Sequence, residues 1–312
     1  MIRIRVQNGV HIESGRFYVL IDPTRRPSRA PSVVLLTHAH RDHYSPSALR
    51  LPPKVPIVMS RATRLLVDRG GRLRNVVEVE PNGEVEVSGI QLRAHEAGHI
   101  LGSLQFSFEV EGLTITYTGD FNLEKRIILK PAEIVKSEVL LIDATYGDPR
   151  YRFPPRTELY ARLVEEVKRE TEAGGRVLIK SRRLGVAQEV TAVISFSTHI
   201  TPVVEETIAR YNNFYEEFGE IIGRYVTGSA PGRGAAVIAG LGQRAHDYTK
   251  VLLCTGWALK KGLPLSSHAD FDHIVSYVKH SGASVVVPFV GFRRTLAEYL
   301  KSEYGLEANY GE

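Results

Sequence analysis

The sequence predicts an α/β fold in which a strand-rich domain is interrupted by a compact α/β insert. Three observations carry that prediction. Residues 2–143 are dominated by short alternating or continuous apolar runs punctuated by Gly, Pro and Asp. From about residue 149, helix-period stretches alternate with strands in a βαβ rhythm. Near residue 250 the buried-strand texture returns. At 312 residues the chain also exceeds a typical single domain of roughly 100–200 residues. The expected domains are therefore 1–148 with 251–312, and an insert over 149–250.

Taken in order, Ile2, Ile4 and Val6 alternate with polar residues as a first strand does, and residues 17–21 follow. The continuous run Ser32-Val33-Val34-Leu35-Leu36-Thr37 reads as a buried strand that delivers a histidine-rich loop. Residues 62–69 have helical spacing. Strands resume at 77–79, 85–87, 90–93, 104–110 and 113–117, and another buried strand over 139–142 ends at Asp143. Pro154-Pro155 precedes an amphipathic helix carrying Leu159, Leu163, Val164 and Val167, which Gly174-Gly175 ends. Residues 176–180 read as a strand and 181–194 as a helix. After a strand at 251–254, a helix over 271–279, a strand over 284–287 and a helix over 295–304 complete the chain.

Composition narrows the classes. Hydrophobic residues are 43% and charged residues 24%, enough apolar material for a core, which excludes disordered and collagen-like chains. One cysteine, Cys254, excludes a disulfide framework and a four-cysteine zinc site and fits a reducing cytoplasm. No stretch is long and apolar enough for a membrane span, and the N-terminus lacks a signal-peptide run, so a soluble cytoplasmic protein is expected. The net charge of +5, with 29 of the 40 cations arginine, permits a polyanionic partner without requiring one.

The strongest chemical signal is Thr37-His38-Ala39-His40-Arg41-Asp42-His43. Three imidazoles and a carboxylate within six residues, at the end of a buried strand, suit a divalent metal. Two more strand ends carry a polar residue in a glycine-rich turn: Ala97-Gly98-His99 and Thr118-Gly119-Asp120. Small neighbours let the backbone approach an ion closely. His95-Glu96-Ala97-Gly98-His99 also fits the His-Glu-x-x-His pattern of zinc proteases, but that chemistry needs a helix. Alternation before it (Val85, Val87, Ile90, Leu92) and after it (Leu104, Phe106, Phe108, Val110) predicts strand, loop, strand. His95 is expected to pack or to support.

The series His38-x-His40-x-Asp42-His43, then His99, then Asp120, resembles the ligand series of the metallo-β-lactamase fold. The segment from Leu141 through Asp143-Ala144-Thr145-Tyr146-Gly147 to Tyr151 and Phe153-Pro154 resembles the opening of the β-CASP insert of nucleic-acid-processing nucleases. Ser266-Ser267-His268-Ala269-Asp270 is similar to a later motif of that branch, whose His contacts the scissile phosphate. The resemblance implies an αββα sandwich interrupted by a β-CASP insert, and phosphodiester hydrolysis.

On that resemblance His38, His40, His99 and Asp120 hold a first metal, Zn²⁺ by its nitrogen-rich donors. Asp42, His43 and bridging Asp120 hold a second, which is Zn²⁺, Mn²⁺ or Mg²⁺. Asp42, Asp120, Asp143 and His268 are then the catalytic set. Asp143 orients an imidazole, and His268 is the phosphate contact or general acid. RNA-processing members carry a further metal-binding His where this chain has Val290. Valine there is similar to the DNA-processing group of Artemis, the cross-link-repair nucleases and ligase-associated exonucleases. The implied activity is a 5′→3′ DNA exonuclease in repair, with nucleic acid as partner and DNA preferred over RNA. The alternatives are a ribonuclease of the mRNA 3′-end-processing type and a small-molecule hydrolase of the same fold. Lys180, Ser181, Arg182 and His268 are the expected phosphate contacts, the first three at a strand-to-helix junction.

Overall fold

The computed structural model describes residues 2–15, 17–228 and 232–309. The chain divides into two compact units. The first comprises Met1–Leu123, Pro131–Arg150 and His268–Glu312; the second comprises Glu124–Lys130 and Tyr151–Ser267.

In the first unit, β1 (Arg3–Val6), β2 (Val10–Ser14), β3 (Phe17–Ile21), β4 (Val33–Leu35), β5 (Ile57–Met59) and, after α1 (Arg61–Val67), β6 (Val76–Glu78) form a six-stranded sheet in sequence order. The pairs β1/β2 and β2/β3 are antiparallel, while β3, β4, β5 and β6 run parallel. Ser60 caps α1 by accepting the Thr63 N–H at 3.1 Å. β7 (Glu84–Val87), β8 (Ile90–Glu96), β9 (Leu104–Val110) and β10 (Leu113–Tyr117) follow as an antiparallel meander, and β11 (Val139–Asp143) pairs parallel to β10.

The second unit is a parallel sheet with helices. α2 (Arg156–Glu172), β12 (Val177–Ser181), α3 (Val186–Ser197), β13 (Val203–Val204), α4 (Glu206–Glu217), β14 (Val226–Thr227), β15 (Ala236–Gly240) and β16 (Lys250–Cys254) give the strand order β14-β13-β15-β12-β16. Leu159, Leu163, Val190, Val193 and Ile208 from the helices pack with Val177 and Ile179 of β12. The opposite face buries Leu178, Val203 and Val237 against Ala245 and Tyr248. Two boundaries differ from the sequence reading. α3 begins at Val186 rather than 181, because Ser181 still pairs with Gly240 and Cys254, and Gly185 turns at φ 107°. β16, assigned from its sequence to the first domain, pairs parallel with β12, Ile179 opposite Leu252. A short apolar strand reads the same in either sheet, so its partner was not legible locally.

The chain returns to the first unit with α5 (Phe271–Ser281), β17 (Val285–Phe289), α6 (Arg293–Tyr304) and β18 (Glu307–Ala308). Asp270 caps α5 by accepting the His273 N–H, and left-handed Gly282 ends it. The second sheet is then β18-β17-β11-β10-β9-β8-β7. Its inward side chains (Leu92, Phe106, Phe108, Ile115, Leu141, Val287) share one core with Val10, Ile12, Val19, Ile21, Val33 and Leu35 of the first sheet. That is the α/β sandwich expected, and burial of two facing sheets is its driving force. No helix among the described residues is long and apolar enough to cross a membrane.

Candidate metal centre

Five of the relevant positions follow the carboxyl ends of strands in the first unit. Asp22 follows β3, the His38–His43 loop follows β4, Asp120 follows β10, Asp143 ends β11, and Val290 follows β17. β3/β4 and β10/β11/β17 are parallel sets, so their ends present these groups on one edge of each sheet. His99 comes from the β8–β9 loop, and His268 sits just ahead of α5.

Four of these side chains form a closed cluster. His38 Nε2 lies 3.1 Å from His40 Nδ1, and His99 Nε2 lies 3.0 Å from the same atom. Asp120 Oδ2 is 3.5 Å from both His38 Nε2 and His99 Nε2. All four residues are buried. Ligands at zinc–nitrogen distances of about 2.0–2.1 Å in a tetrahedron lie about 3.3 Å from one another, so these separations fit a four-coordinate divalent ion. A second observation agrees: Asp120 Oδ1 is buried and has no hydrogen-bond partner, a costly arrangement that a cation relieves. Burial and the neighbouring imidazoles, His43 foremost, push His38 well below the usual imidazole range, into its neutral, ligating form. Burial alone would raise the Asp120 carboxyl, but His43 and His268 hold it well below the usual carboxylate range.

His43 and Asp42 are placed differently from the four. His43 Nδ1 meets Asp22 Oδ2 at 2.9 Å and its Nε2 meets Asp120 Oδ2 at 3.2 Å. Burial opposes its protonation, yet these two carboxylates raise it well above the usual range. Asp42 is exposed. Among the described residues, two groups bring metal-ligating atoms within 4.8 Å of one another: His38, His40, His99 and Asp120, and Asp120, Asp143 and His268. Asp42 and His43 fall outside both. They line instead a cavity that also contains Asp22, Val290 and Arg293.

Asp143 addresses His268. Its Oδ2 is 2.8 Å from His268 Nδ1, and its Oδ1 accepts the N–H and the hydroxyl of Thr145, each at 2.7 Å. His268 Nε2 then lies 3.6 Å from Asp120 Oδ2. Asn122 Nδ2 donates to the His268 carbonyl at 3.1 Å, and Ala269 N donates to the Phe121 carbonyl at 2.7 Å, which ties the His268 segment to the Asp120 turn. Gly119 has φ 55°, and a Cβ there would stand 2.9 Å from the Thr37 side chain, so only glycine lets this turn cross the histidine strand.

Sequence reasoning missed Asp22. It is buried, accepts the Thr37 N–H at 2.8 Å and its hydroxyl at 2.7 Å, and meets His43 and the Tyr117 hydroxyl. Thr37 Oγ1 in turn lies 3.0 Å from His38 Nδ1. Asp22-Pro23 read as turn punctuation; its place at a strand end, like the ligands, was the available signal. His95 lies in β8, not in a helix, and meets Ser107 Oγ at 2.8 Å, so the zinc-protease geometry is absent at this segment.

In the second unit, Lys180 and Ser181 are the last two residues of β12, and Arg182 follows the strand, ahead of the Gly185 turn that opens α3. Ser181 is buried and its Oγ has no hydrogen-bond partner, whereas Lys180 and Arg182 are half-buried.

Residues 15–174 match the model of the beta-lactamase superfamily domain, and the chain belongs to that superfamily. Among individual proteins, it is 26% identical over 293 residues to a "Probable DNA ligase" of Opitutus terrae, covering 88% of this chain and 28% of that one. It is 29% identical over 213 residues to an "RNase J-like protein" of Methanocaldococcus jannaschii, covering 60% and 51%. It is 35% identical over 118 residues to "Endoribonuclease YSH1" of Eremothecium gossypii, covering 37% and 15%. The chain thus spans about half or less of the length of these relatives. A crystal structure of a protein of unknown function from Enterococcus faecalis V583 superposes over 100% of this chain and 98% of its own with a TM-score of 0.69 at 16% identity, a likeness of fold.

Proposed function

We propose that the chain is a metal-dependent phosphodiesterase acting on nucleic acid, a 5′→3′ exonuclease with DNA as its preferred substrate in repair. The observation that carries the hydrolase reading is the closed His38, His40, His99 and Asp120 cluster with His268 Nε2 directed at the same Asp120 oxygen. The nucleic-acid reading is supported by relatives named as nucleases and as a probable ligase.

His38, His40, His99 and Asp120 would hold Zn²⁺, and Asp42, His43 and Asp120 a weaker second ion, Zn²⁺, Mn²⁺ or Mg²⁺. Such ions lower the pKa of water and offset charge on a phosphoryl group. Asp143 accepts from Nδ1 of His268, which fixes the imidazole and stabilises its charged form. His268 can then pass the Nε2 proton to a leaving oxygen as general acid. Lys180, Ser181, with its unsatisfied hydroxyl, and Arg182 would take a terminal 5′ phosphate, the contact an exonuclease needs. Val290 supports DNA, by the resemblance drawn above. RNA is the second reading, and the RNase J-like and endoribonuclease names favour it.

Digestion of 3′-labelled DNA and sequence-matched RNA, each with and without a 5′ phosphate, tests the proposal. DNA bearing the 5′ phosphate should be cut fastest, and Asp120→Asn should abolish cleavage and deplete bound metal. Faster cutting of RNA would replace the DNA reading, and intact cleavage by Asp120→Asn would end the metal-dependent one.

A further inference from the structure

The outer face of the six-stranded sheet carries a feature the hydrolytic site does not use. Leu49, Val55 and Ile57 are buried there in a cluster with Leu20, Val34 and Leu36, and Leu51, Val67 and Leu73 lie half-buried against it. Together they floor a concave cavity of 510 Å³, a size at which pockets accept ligand side chains. Its rim is cationic: Arg50, Arg72 and Arg74 line it and are exposed.

The charge around this cavity is lopsided. Residues 46–76 carry seven cations, Arg50, Lys54, Arg61, Arg64, Arg69, Arg72 and Arg74, against one carboxylate, Asp68, in a chain whose total is only +5. Asp68, the single carboxylate, forms no ion pair with them among the described residues; its two oxygens accept the backbone N–H groups of Arg72 and Leu73, each at 2.8 Å. Arg64 is paired with Glu78. Among the described residues, Arg50, Lys54, Arg69, Arg72 and Arg74 have no ion-pair partner. An apolar hollow ringed by unneutralised arginines selects an occupant with apolar anchors and flanking negative charge.

We propose that this cavity docks an acidic, leucine- or phenylalanine-anchored peptide segment of a partner protein. The lining decides against a nucleic-acid strand. Single-stranded nucleic acid is held by stacking bases on rings as well as by phosphate contacts, and none of the lining residues is aromatic. Aliphatic side chains and prolines accept peptide anchors, while the guanidinium forks pair with carboxylates in two-point contacts.

Fluorescence anisotropy tests this with a labelled short peptide that alternates leucine pairs with glutamates. Saturable binding to the wild-type chain is expected. The double variant Arg72→Glu/Arg74→Glu, and independently Arg50→Glu, should weaken binding at least about tenfold. Glu→Gln peptides should bind more weakly, and Leu→Ser peptides should not bind. These exposed substitutions should leave the thermal midpoint and nuclease rate unchanged. The proposal is overturned if the wild type does not bind the peptide saturably, or if none of the charge reversals alters binding. It is also overturned if a single-stranded oligonucleotide displaces the peptide and binds this face more tightly.

Discussion

Asp143 and His268 form the contact on which the proposed proton transfer depends, and it can be altered without touching the four-residue cluster. In Asp143→Asn the amide offers either an N–H to His268 Nδ1 or a weaker acceptor, so the imidazole loses its fixed tautomer. We expect kcat to fall about 100-fold with KM nearly constant, and metal bound by His38, His40, His99 and Asp120 to stay near wild type. Steady-state kinetics with metal analysis of the same sample measures both. Val290 invites the reverse experiment. It has φ 56°, a conformation β-branched residues rarely adopt, and it is 47% exposed beside Asp42 and His43. Gly291 behind it has φ 61°, and a Cβ there would stand 2.2 Å from the Ala144 carbonyl oxygen, so the turn is fixed by close approach. Histidine tolerates left-handed backbone better than valine does. Val290→His should therefore fold, with an undiminished thermal midpoint, and bind Mn²⁺ more tightly. A titration followed by calorimetry checks this.

At the scale of elements, α2 and α3 are joined by a buried ion cluster that the helical periodicity does not announce. Glu189 of α3 accepts from Arg126 Nε at 2.9 Å and Nη2 at 2.6 Å, and it also meets Arg156 Nη1 and the Tyr160 hydroxyl. Arg156, the first residue of α2, reaches Glu124 Oε2 at 2.9 Å and the Ser266 carbonyl at 2.5 Å. Burial would raise the Glu189 carboxyl, but the two guanidinium groups outweigh it and hold it below the usual 4.5. A depressed folded value means its stabilisation is present above 4.5 and is lost as pH falls through that lower value. Glu189→Gln should cost about 3 kcal/mol at neutral pH, because it leaves buried cations without their counter-charge. The gap between wild-type and variant thermal midpoints should narrow on acidification. Melting curves across the acid range would show it, and a gap constant with pH would refute the account. The cluster also marks a limit of sequence reading. Strands such as β9 and β10, whose alternation is local, were legible to the residue, as were His38, His40, His99 and Asp120, each in a strand-end turn. Glu189 with Arg126, 63 residues apart, and β16 with β12 are pairings that no window of sequence contains.

Across the whole first unit, the cluster ties together segments that the hydrophobic core alone does not join. His38 and His40 hang from the first sheet, while His99 and Asp120 hang from the second. The core shared by the sheets holds their faces, whereas four buried side chains from their edges converge on one point. An ion bound there would act as a cross-link between the sheets, and anything that binds the folded state alone stabilises it by mass action, about 4 kcal/mol at a thousandfold excess over Kd. Removing the metal with a chelator should lower the thermal midpoint, and restoring Zn²⁺ should recover it. The same cycle read by amide hydrogen exchange is more specific. Protection should fall over residues 36–44, 97–103 and 118–122, the three segments that carry the cluster, while β12, β15 and β16 of the second unit keep theirs. If exchange rose equally in both units, the ion would be supporting the whole chain rather than joining two sheet edges. If it rose in neither, the cluster would be assembled without metal. Asp120 Oδ1, buried without a hydrogen-bond partner, argues for the local outcome, because its unmet demand is confined to that edge.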